Sequence, residues 1–370
     1  YMSCLPKSPI AYYDIFIDGF YKSIFFRKHG ISLLLSLQII FHFLIIRTDT
    51  NNFIHMIIQK KAGNNVYHFI VNPNASSGFG KEVWNKVEPI LKDKKIDYQV
   101  YFTKYQRHAE KLTASITADE QPHTLVVLGG DGTIGEVVSG IRCPEKITLG
   151  YIPIGSGNDF ARGLELTKNY EEAIEQILHP QNIQKLNLGV TEYENTKRRF
   201  AVSSGFGYDA TICQEVCVSR LKRFLNRIKL GKLAYVGLSI SCLIRCTPKK
   251  MKITLDDGRV LEFKQTFFAT AMNLPYEGGG CKFCPDARSD DDMLDLIVVA
   301  DVPKLQALLI LPTVFAGKHT HLKGVHIYRC KSAELESEIP LVLHTDGEPV
   351  FPETAVSMHL EKASVQLIQS

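Results

Sequence analysis

Leu125-Val126-Val127-Leu128-Gly129-Gly130-Asp131-Gly132-Thr133 decides how this chain is read. Four continuous apolar residues read as a strand buried on both faces. Gly135 to Ile141 continues as a helix. The glycines between strand and helix let backbone N–H groups approach an oxyanion closely. The helix N-terminus adds a field that favours phosphate. Asp131 supplies a carboxylate where Mg²⁺ or a nucleophilic hydroxyl could sit. The stretch is neither G-x-G-x-x-G nor a Walker A loop, because no Gly-Lys-Ser/Thr follows. A plain glycine-rich turn is the alternative; context and composition favour a phosphate loop.

Reading outward from this stretch, the same rhythm recurs. Val66 to Val71 is a buried strand, stopped by Asn72-Pro73, and Lys81 to Lys92 has helical periodicity. Tyr98 to Phe102 reads as a strand, His108 to Ala118 as a helix and Thr148 to Ile152 as a strand. Strands alternating with helices argue for a parallel sheet covered on both faces. Two further loops follow strands: Asn72-Pro73-Asn74-Ala75-Ser76-Ser77-Gly78, and Ile152-Pro153-Ile154-Gly155-Ser156-Gly157-Asn158-Asp159. Three such loops converge on the carboxyl edge of one sheet, where open α/β sheets bind ligands.

After about Leu188 the rhythm shifts. Strand candidates crowd together: 200–203, 251–255, 260–263, 267–270, 294–299 and 325–328, with Asp256-Asp257-Gly258-Arg259 as a hairpin signal. A helical segment, roughly Ala210 to Cys246, interrupts them. The expected fold is an α/β N-terminal domain with a Rossmann-like three-layer parallel sheet, followed by a β-rich sandwich domain. The boundaries are 1–65 for an atypical aromatic extension, 66–188 for the nucleotide-binding domain and 189–370 for a β-rich substrate-side domain. A return of the last segment to the first domain is left open. A length of 370 residues suits two domains.

Composition excludes other classes. Hydrophobic residues make up 45% and charged residues 22%, which excludes wholesale disorder and a polytopic membrane protein. The net charge of +4 resides in residues 1–65, so the rest is neutral and lacks the basic stripe of a nucleic-acid binder. Within residues 1–55, Ile31 to Ile46 is an apolar run flanked by Arg27, Lys28 and Arg47. It is short for a spanning helix of about 20 residues. It reads as a dispensable extension, with a membrane anchor as the alternative. Cytoplasmic localisation with peripheral membrane contact is expected. The sequence is compatible with a homodimer.

Nine cysteines form no dense disulfide framework, and Cys281-x-x-Cys284 is a lone half of a zinc motif. They read as reduced core thiols. His319 and His321 would share a strand face and read as surface or interface residues. Arg220, Lys222, Arg223, Arg227, Lys229 and Lys232 read as a solvated helix face, with anionic lipid headgroups as the sharper alternative. Asp290-Asp291-Asp292 could take a hard cation or form a solvated turn. Asp346-Gly347-Glu348 places a carboxylate on a tight turn, where it could act as a general base.

These motifs, in this order, resemble the soluble diacylglycerol kinase catalytic-domain family, which includes bacterial lipid kinases and sphingosine kinases within an NAD kinase-like superfamily. The resemblance rests on Asn72-Pro73, Gly129 to Thr133, Pro153 to Ala161, Gly205 to Ala210, Gly278-Gly279-Gly280, Pro285-Asp286-Ala287 and Asp346-Gly347-Glu348. It implies ATP-dependent phosphorylation of a lipid hydroxyl, diacylglycerol or a related lipid. It implies an ATP site of Asn72, Pro73, Asn74, Ala75, Ser76, Thr103, Gly129, Gly130, Asp131, Gly132, Thr133, Ile134, Gly135 and Ser156. Glu348 would be the general base, with Asp131 orienting the acceptor or metal. A structural Mg²⁺ would be held by Asp291 and the carbonyls of Arg288 and Met293. Asp292 and Asn187 depart from the family's metal pattern, and Ser156 and Tyr208 replace its usual Thr and Phe. An NAD kinase and a non-catalytic ATP- or lipid-binding regulator are the alternatives.

Overall fold

The computed structural model describes residues 66–218 and 231–369. The apolar run at 31–46 and most of the basic run at 220–232 lie outside them.

The first sheet is built as the alternation demanded. Strands β1 (Tyr67–Val71), β2 (Tyr98–Phe102), β3 (His123–Gly129) and β4 (Ile147–Pro153) run parallel, in the order β2-β1-β3-β4. Side chains alternate across the pleat, so one strand feeds two cores. Phe69 and Val71 join Val126, Leu128 and Ile152 on one face. Ile70 joins Leu125, Val127 and Leu149 on the other. Helix α1 (Phe79–Asp93) covers the first face with Val83, Trp84, Val87 and Leu91, a helical spacing that makes one apolar stripe. Burying each such side chain is worth about 1.5–3 kcal/mol. Helices α2 (His108–Ile116) and α3 (Asp131–Gly140) cover the second face. Helix α3 starts at Asp131 rather than at Gly135, so the glycine motif is its first turn.

Two short helices, α4 (Asp159–Gly163) and α5 (Tyr170–Leu178), lead to β5 (Asn182–Leu186) at the edge of the same sheet. The gap between β4 and β5 is filled from far along the chain. The last strand, Val365–Gln369, lies parallel to β4 and antiparallel to β5.

The second sheet is antiparallel and curls on itself. It contains β6 (Gly189–Tyr193), β7 (Thr196–Phe200), β8 (Ser203–Gly207), β9 (Lys249–Leu255), β10 (Val260–Met272), β11 (Leu294–Ala300), β12 (Val325–Cys330), β13 (Ser332–Thr345) and β14 (Glu348–Leu360), with β15 the strand already placed in the first sheet. Both β10 and β13 pair with β8 at one end and with β9 at the other, which closes a ring around an apolar interior. The expected strands 260–263 and 267–270 are one bent strand. Its bulge is held by Asp301, whose Oδ1 accepts the N–H groups of Lys264 at 3.1 Å and Gln265 at 2.9 Å. The outer face is covered by α6 (Tyr208–Val218), α7 (Gly231–Arg245) and α8 (Lys304–Val314). Among the described residues, no helix is long and apolar enough to cross a membrane.

Candidate active site

Loop geometry comes first. The loops after β3 and β4 meet backbone to backbone, and Ile154 N–H donates to Gly129 O at 2.9 Å. A Cβ on Gly155 would stand 2.6 Å from Gly130 Cα, so only glycine fits where the loops touch. The third loop is tied in by side chains. Asn72 Nδ2 donates to Thr133 Oγ1 at 3.1 Å, and Ser76 Oγ donates to Ile154 O at 2.6 Å. Ser76 and Ser77 take positive φ, which turns the chain sharply into α1. Together the loops line a polar cleft of about 520 Å³. Helix α3 opens onto it with no side-chain cap, and no atom stands within 4 Å of a Cβ built on Gly132. Uncapped N–H groups beside open space fit a nucleotide's phosphates.

The expected ATP residues divide into two groups. Asn72, Asn74, Ala75, Ser76, Thr103, Gly130, Asp131, Gly132, Thr133 and Ser156 line the cleft. Pro73, Gly129, Ile134 and Gly135 lie outside its lining: Ile134 is fully buried, Gly129 packs under Thr133, and Gly135 packs against Asp346. Lys104, Tyr105, Gln106 and Glu136 also line the cleft, although no motif marked them. Glu136 accepts the N–H groups of Arg107 at 2.8 Å and Ala109 at 3.0 Å, so it holds the loop after β2 against α3.

Asp131 in the cleft wall has a second carboxylate, Asp159, as its neighbour. Burial pushes the Asp131 carboxyl up, opposed by the N–H groups of Phe160, Asp159 and Asn158. The Phe160 bond is 3.1 Å. Asp159 is pushed up to about 6 by burial and by the charge of Asp131. It pairs with Arg162 and accepts Gly279 N–H at 2.5 Å. The second domain thereby contributes a loop to the first domain's site.

The Asp346-Gly347-Glu348 turn divides its labour. Asp346 is an anchor: its Oδ1 accepts Val202 N–H at 2.8 Å and Ser203 N–H at 3.1 Å, and its Oδ2 accepts Ala201 N–H at 2.9 Å. Glu348 instead faces Arg198, with Nη2 to Oε2 at 2.8 Å. Glu348 and Asp131 have different neighbours. Asp159 and Arg162 surround Asp131, whereas Glu348 acts on Arg107 and Glu136.

Beneath α6, α7 and α8 is an apolar cavity of about 50 Å³. Phe268, Ile297, Ala307, Ile310 and Val314 are among its walls, and Asp209 and Glu277 stand at its polar end. Glu277 also contributes to the field at Asp159. Asp209 accepts from Thr270 Oγ1 and, at 2.7 Å, from Ala210 N–H. Between these two acids sits His344, with Nε2 at 3.2 Å from Asp209 Oδ2 and 3.1 Å from Glu277 Oε1. Burial alone would push the ring's pKa down; the charges of Cys213 and Glu277 and the bond to Asp209 outweigh it. A second ring proton would have to sit on Nδ1, where Gly347 N–H already donates at 3.2 Å, so this geometry holds the ring neutral against the pull of the two acids.

The acidic turn is already matched with cations. Asp290 pairs with Arg288, Asp291 with Arg329 and Asp292 with Lys185. Asp291 Oδ1 also accepts Met293 N–H at 3.1 Å, and Asn187 Nδ2 donates to Asp292 at 2.9 Å. A Mg²⁺ held by Asp291 with the carbonyls of Arg288 and Met293 would compete with the Arg329 guanidinium for the Asp291 carboxylate.

Other sequence readings shift as well. His319 is not on a strand or at the surface; it is fully buried in the loop after α8, bonded to Phe283 O at 2.9 Å. Cys281 and Cys284 are buried among apolar side chains, which pushes the Cys281 thiol up to about 12 and Cys284 higher than usual. Arg198, Glu277 and His344 had no motif of their own. The signal for His344 was its place two residues before Asp346; Arg198 and Glu277 had none.

Comparison with known proteins covers the described body. Residues 66–190 match the model of the diacylglycerol kinase catalytic domain, and residues 202–369 match the YegS C-terminal NAD kinase beta sandwich-like domain. "Putative lipid kinase YtlR" of Bacillus subtilis (strain 168) is 29% identical over 283 residues, 75% of this chain and 91% of that protein. A diacylglycerol kinase of Staphylococcus carnosus (strain TM300) is 28% identical, over 73% of this chain and 85% of that protein. The crystal structure of a diacylglycerol kinase from Bacillus anthracis str. Sterne superposes with a TM-score of 0.60 at 23% identity, covering 84% of this chain and 98% of that one.

Proposed function

The chain belongs to the diacylglycerol kinase catalytic-domain family, a family of lipid kinases, and from that premise we propose that it transfers the γ-phosphate of ATP to the hydroxyl of diacylglycerol or a related lipid. One observation carries this reading. A polar glycine-loop cleft and an apolar cavity are joined by a line of carboxylates, Asp131, Asp159 and Glu277.

In this reading the phosphates lie on the N–H groups that open α3 and on the loop of Asn74 and Ser76. ATP brings Mg²⁺, which neutralises charge on the transferred group. Asp131 orients the acceptor hydroxyl. Glu348, held by Arg198, takes its proton. The acceptor oxygen bonds to the γ-phosphorus, the bond to the β,γ-bridging oxygen breaks, and ADP leaves. The acceptor's apolar chain occupies the cavity under α7 and α8. At about 50 Å³ that cavity has only the volume of one or two waters, so a chain enters only as α7 and α8 part. Leu305 and Leu309 stand 69% and 66% exposed on α8, beside Lys304. We place the contact with the membrane surface there.

The test is transfer of labelled γ-phosphate from ATP·Mg²⁺ by the full chain, with diacylglycerol micelles, total lipid extract and NAD in parallel. Label in the organic phase supports the proposal. Label on NAD moves the activity to an NAD kinase, and nucleotide binding without transfer marks a regulator. Glu348→Ala should abolish transfer and leave nucleotide binding intact; retained turnover would sink the base assignment.

A further inference from the structure

His344 is fully buried at the end of β13, two residues before Asp346, and its two ring nitrogens serve different places. Nδ1 accepts Gly347 N–H at 3.2 Å, inside the turn that carries Glu348. A ring nitrogen that accepts a hydrogen bond bears no proton, so in the neutral ring Nε2 is the N–H side. That N–H lies between Asp209 Oδ2 at 3.2 Å and Glu277 Oε1 at 3.1 Å, the two carboxylates at the polar end of the apolar cavity. The fold makes room for this arrangement. A Cβ on Gly205 would overlap both the Asp209 carboxylate and the His344 ring. Glu277 Oε2 is buried with no partner, an acceptor left for a donor outside the protein.

A metal ion is the competing use of the same atoms, because Cys213, Glu277 and His344 offer ligands within 4.8 Å of one another. Ligation through Nε2 would move the ring proton to Nδ1. There it would face Gly347 N–H, donor against donor. The hydrogen bond to Gly347 therefore excludes the metal tautomer in this arrangement.

We infer that His344 is a positioning residue with two separable tasks. Through Nε2–H it holds Asp209 and Glu277 where the polar end of the acceptor meets them, leaving Glu277 Oε2 to accept from a donor on the acceptor as it enters. Through Nδ1 it pins the turn that presents Glu348. This rests on the lipid-kinase reading, in which the cavity holds the acceptor and Glu348 is the base.

Two conservative variants of the full chain separate the tasks. In His344→Asn, the amide oxygen replaces Nδ1 and the group at Nε2 is lost. In His344→Gln, the amide nitrogen reaches the carboxylates and Nδ1 is lost. The expected result is a split. The Asn variant raises KM for the lipid by about tenfold with kcat nearly kept; the Gln variant lowers kcat by about tenfold with KM nearly kept, the scale of one buried hydrogen bond. A fall in kcat together with a rise in KM in both variants alike, with melting points lowered alike, would reduce His344 to a structural residue and overturn the inference. Two readouts need no turnover. Hydrogen exchange at the Gly347 amide should quicken about tenfold or more in the Gln variant and stay near wild type in the Asn variant. A long-range ¹⁵N spectrum of the wild type should show the ring proton on Nε2; a proton on Nδ1 or stoichiometric bound zinc would overturn the assignment. If the wild type transfers nothing to lipid, the lipid-kinase reading fails, and the exchange and ¹⁵N results still judge the pinning of the turn.

Discussion

Asp346→Asn removes one charge and one acceptor from the anchor beneath Glu348. Three backbone N–H groups converge on the wild-type carboxylate, two on Oδ1 and one on Oδ2. An asparagine has a single acceptor oxygen. In its better orientation it keeps Val202 and Ser203 and turns its NH₂ toward Ala201 N–H. One charge-assisted hydrogen bond is lost, about 1.5–3 kcal/mol, and buried donors are left unpaired, about 1–3 kcal/mol more. Removing a charge whose desolvation already pushes the Asp346 carboxyl up to about 6 offsets part of this. The net expectation is a loss of about 3 kcal/mol. Gly135 leaves no space for relief, since a Cβ there would stand 2.8 Å from Asp346 Oδ2. Urea unfolding of wild type and variant, followed by far-UV circular dichroism, reads the difference from the midpoint shift and slope. Phosphoryl transfer should fall with it, because the turn that carries Glu348 loses its support. A variant within about 0.5 kcal/mol of wild type, the range of a neutral surface change, would refute the anchor argument.

Three further outcomes follow from the same geometry. Asp159 has its carboxyl raised to about 6 by burial and by Asp131, so the folded state favours its acid form. The stability this contributes is complete below about pH 4 and is lost as pH rises through about 6. Melting curves should therefore show wild type gaining on Asp159→Asn between pH 7 and pH 5; parallel pH profiles would contradict the shift. Ala307→Trp fills the apolar cavity beneath α8, and should raise the lipid KM at least about tenfold while nucleotide affinity holds, at an overpacking cost of about 1–3 kcal/mol. Unchanged lipid kinetics would remove the cavity from the acceptor's path. Gly155→Ala drives a methyl group into Gly130 Cα at 2.6 Å, where backbone meets backbone. Nucleotide titration should show weakened binding, and an unaltered Kd would mean the two loops need not touch.

How much of this was legible beforehand follows from the range of each interaction. Periodicity and turn chemistry are local, so β1 to β4, the covering helices and the three glycine loops could be read directly. The start of α3 at Asp131 was missed because glycines look like loop when a tertiary contact makes them helical. The bend in β10 was read as two strands because Asp301, which fills the bulge, lies some 36 residues away. The acidic turn illustrates the limit best. Asp290, Asp291 and Asp292 look like a cation site along the chain, and only folding brings Lys185 and Arg329 onto them.

Neighbours along the chain mark out the layered α/β half, the β-rich half and the candidacy of Asn72, Asp131, Ser156 and Glu348. Tertiary structure alone decided what faces each carboxylate. Asp131 meets Asp159 beside the glycine-loop cleft, Asp346 anchors three backbone N–H groups, Glu348 faces Arg198, and His344 bridges Asp209 and Glu277 behind the cavity. A carboxylate's role depends on its burial and on the charges and donors that face it. Here several of those come from far along the chain, 120 positions for Gly279 at Asp159 and 150 for Arg198 at Glu348, a separation no local pattern encodes.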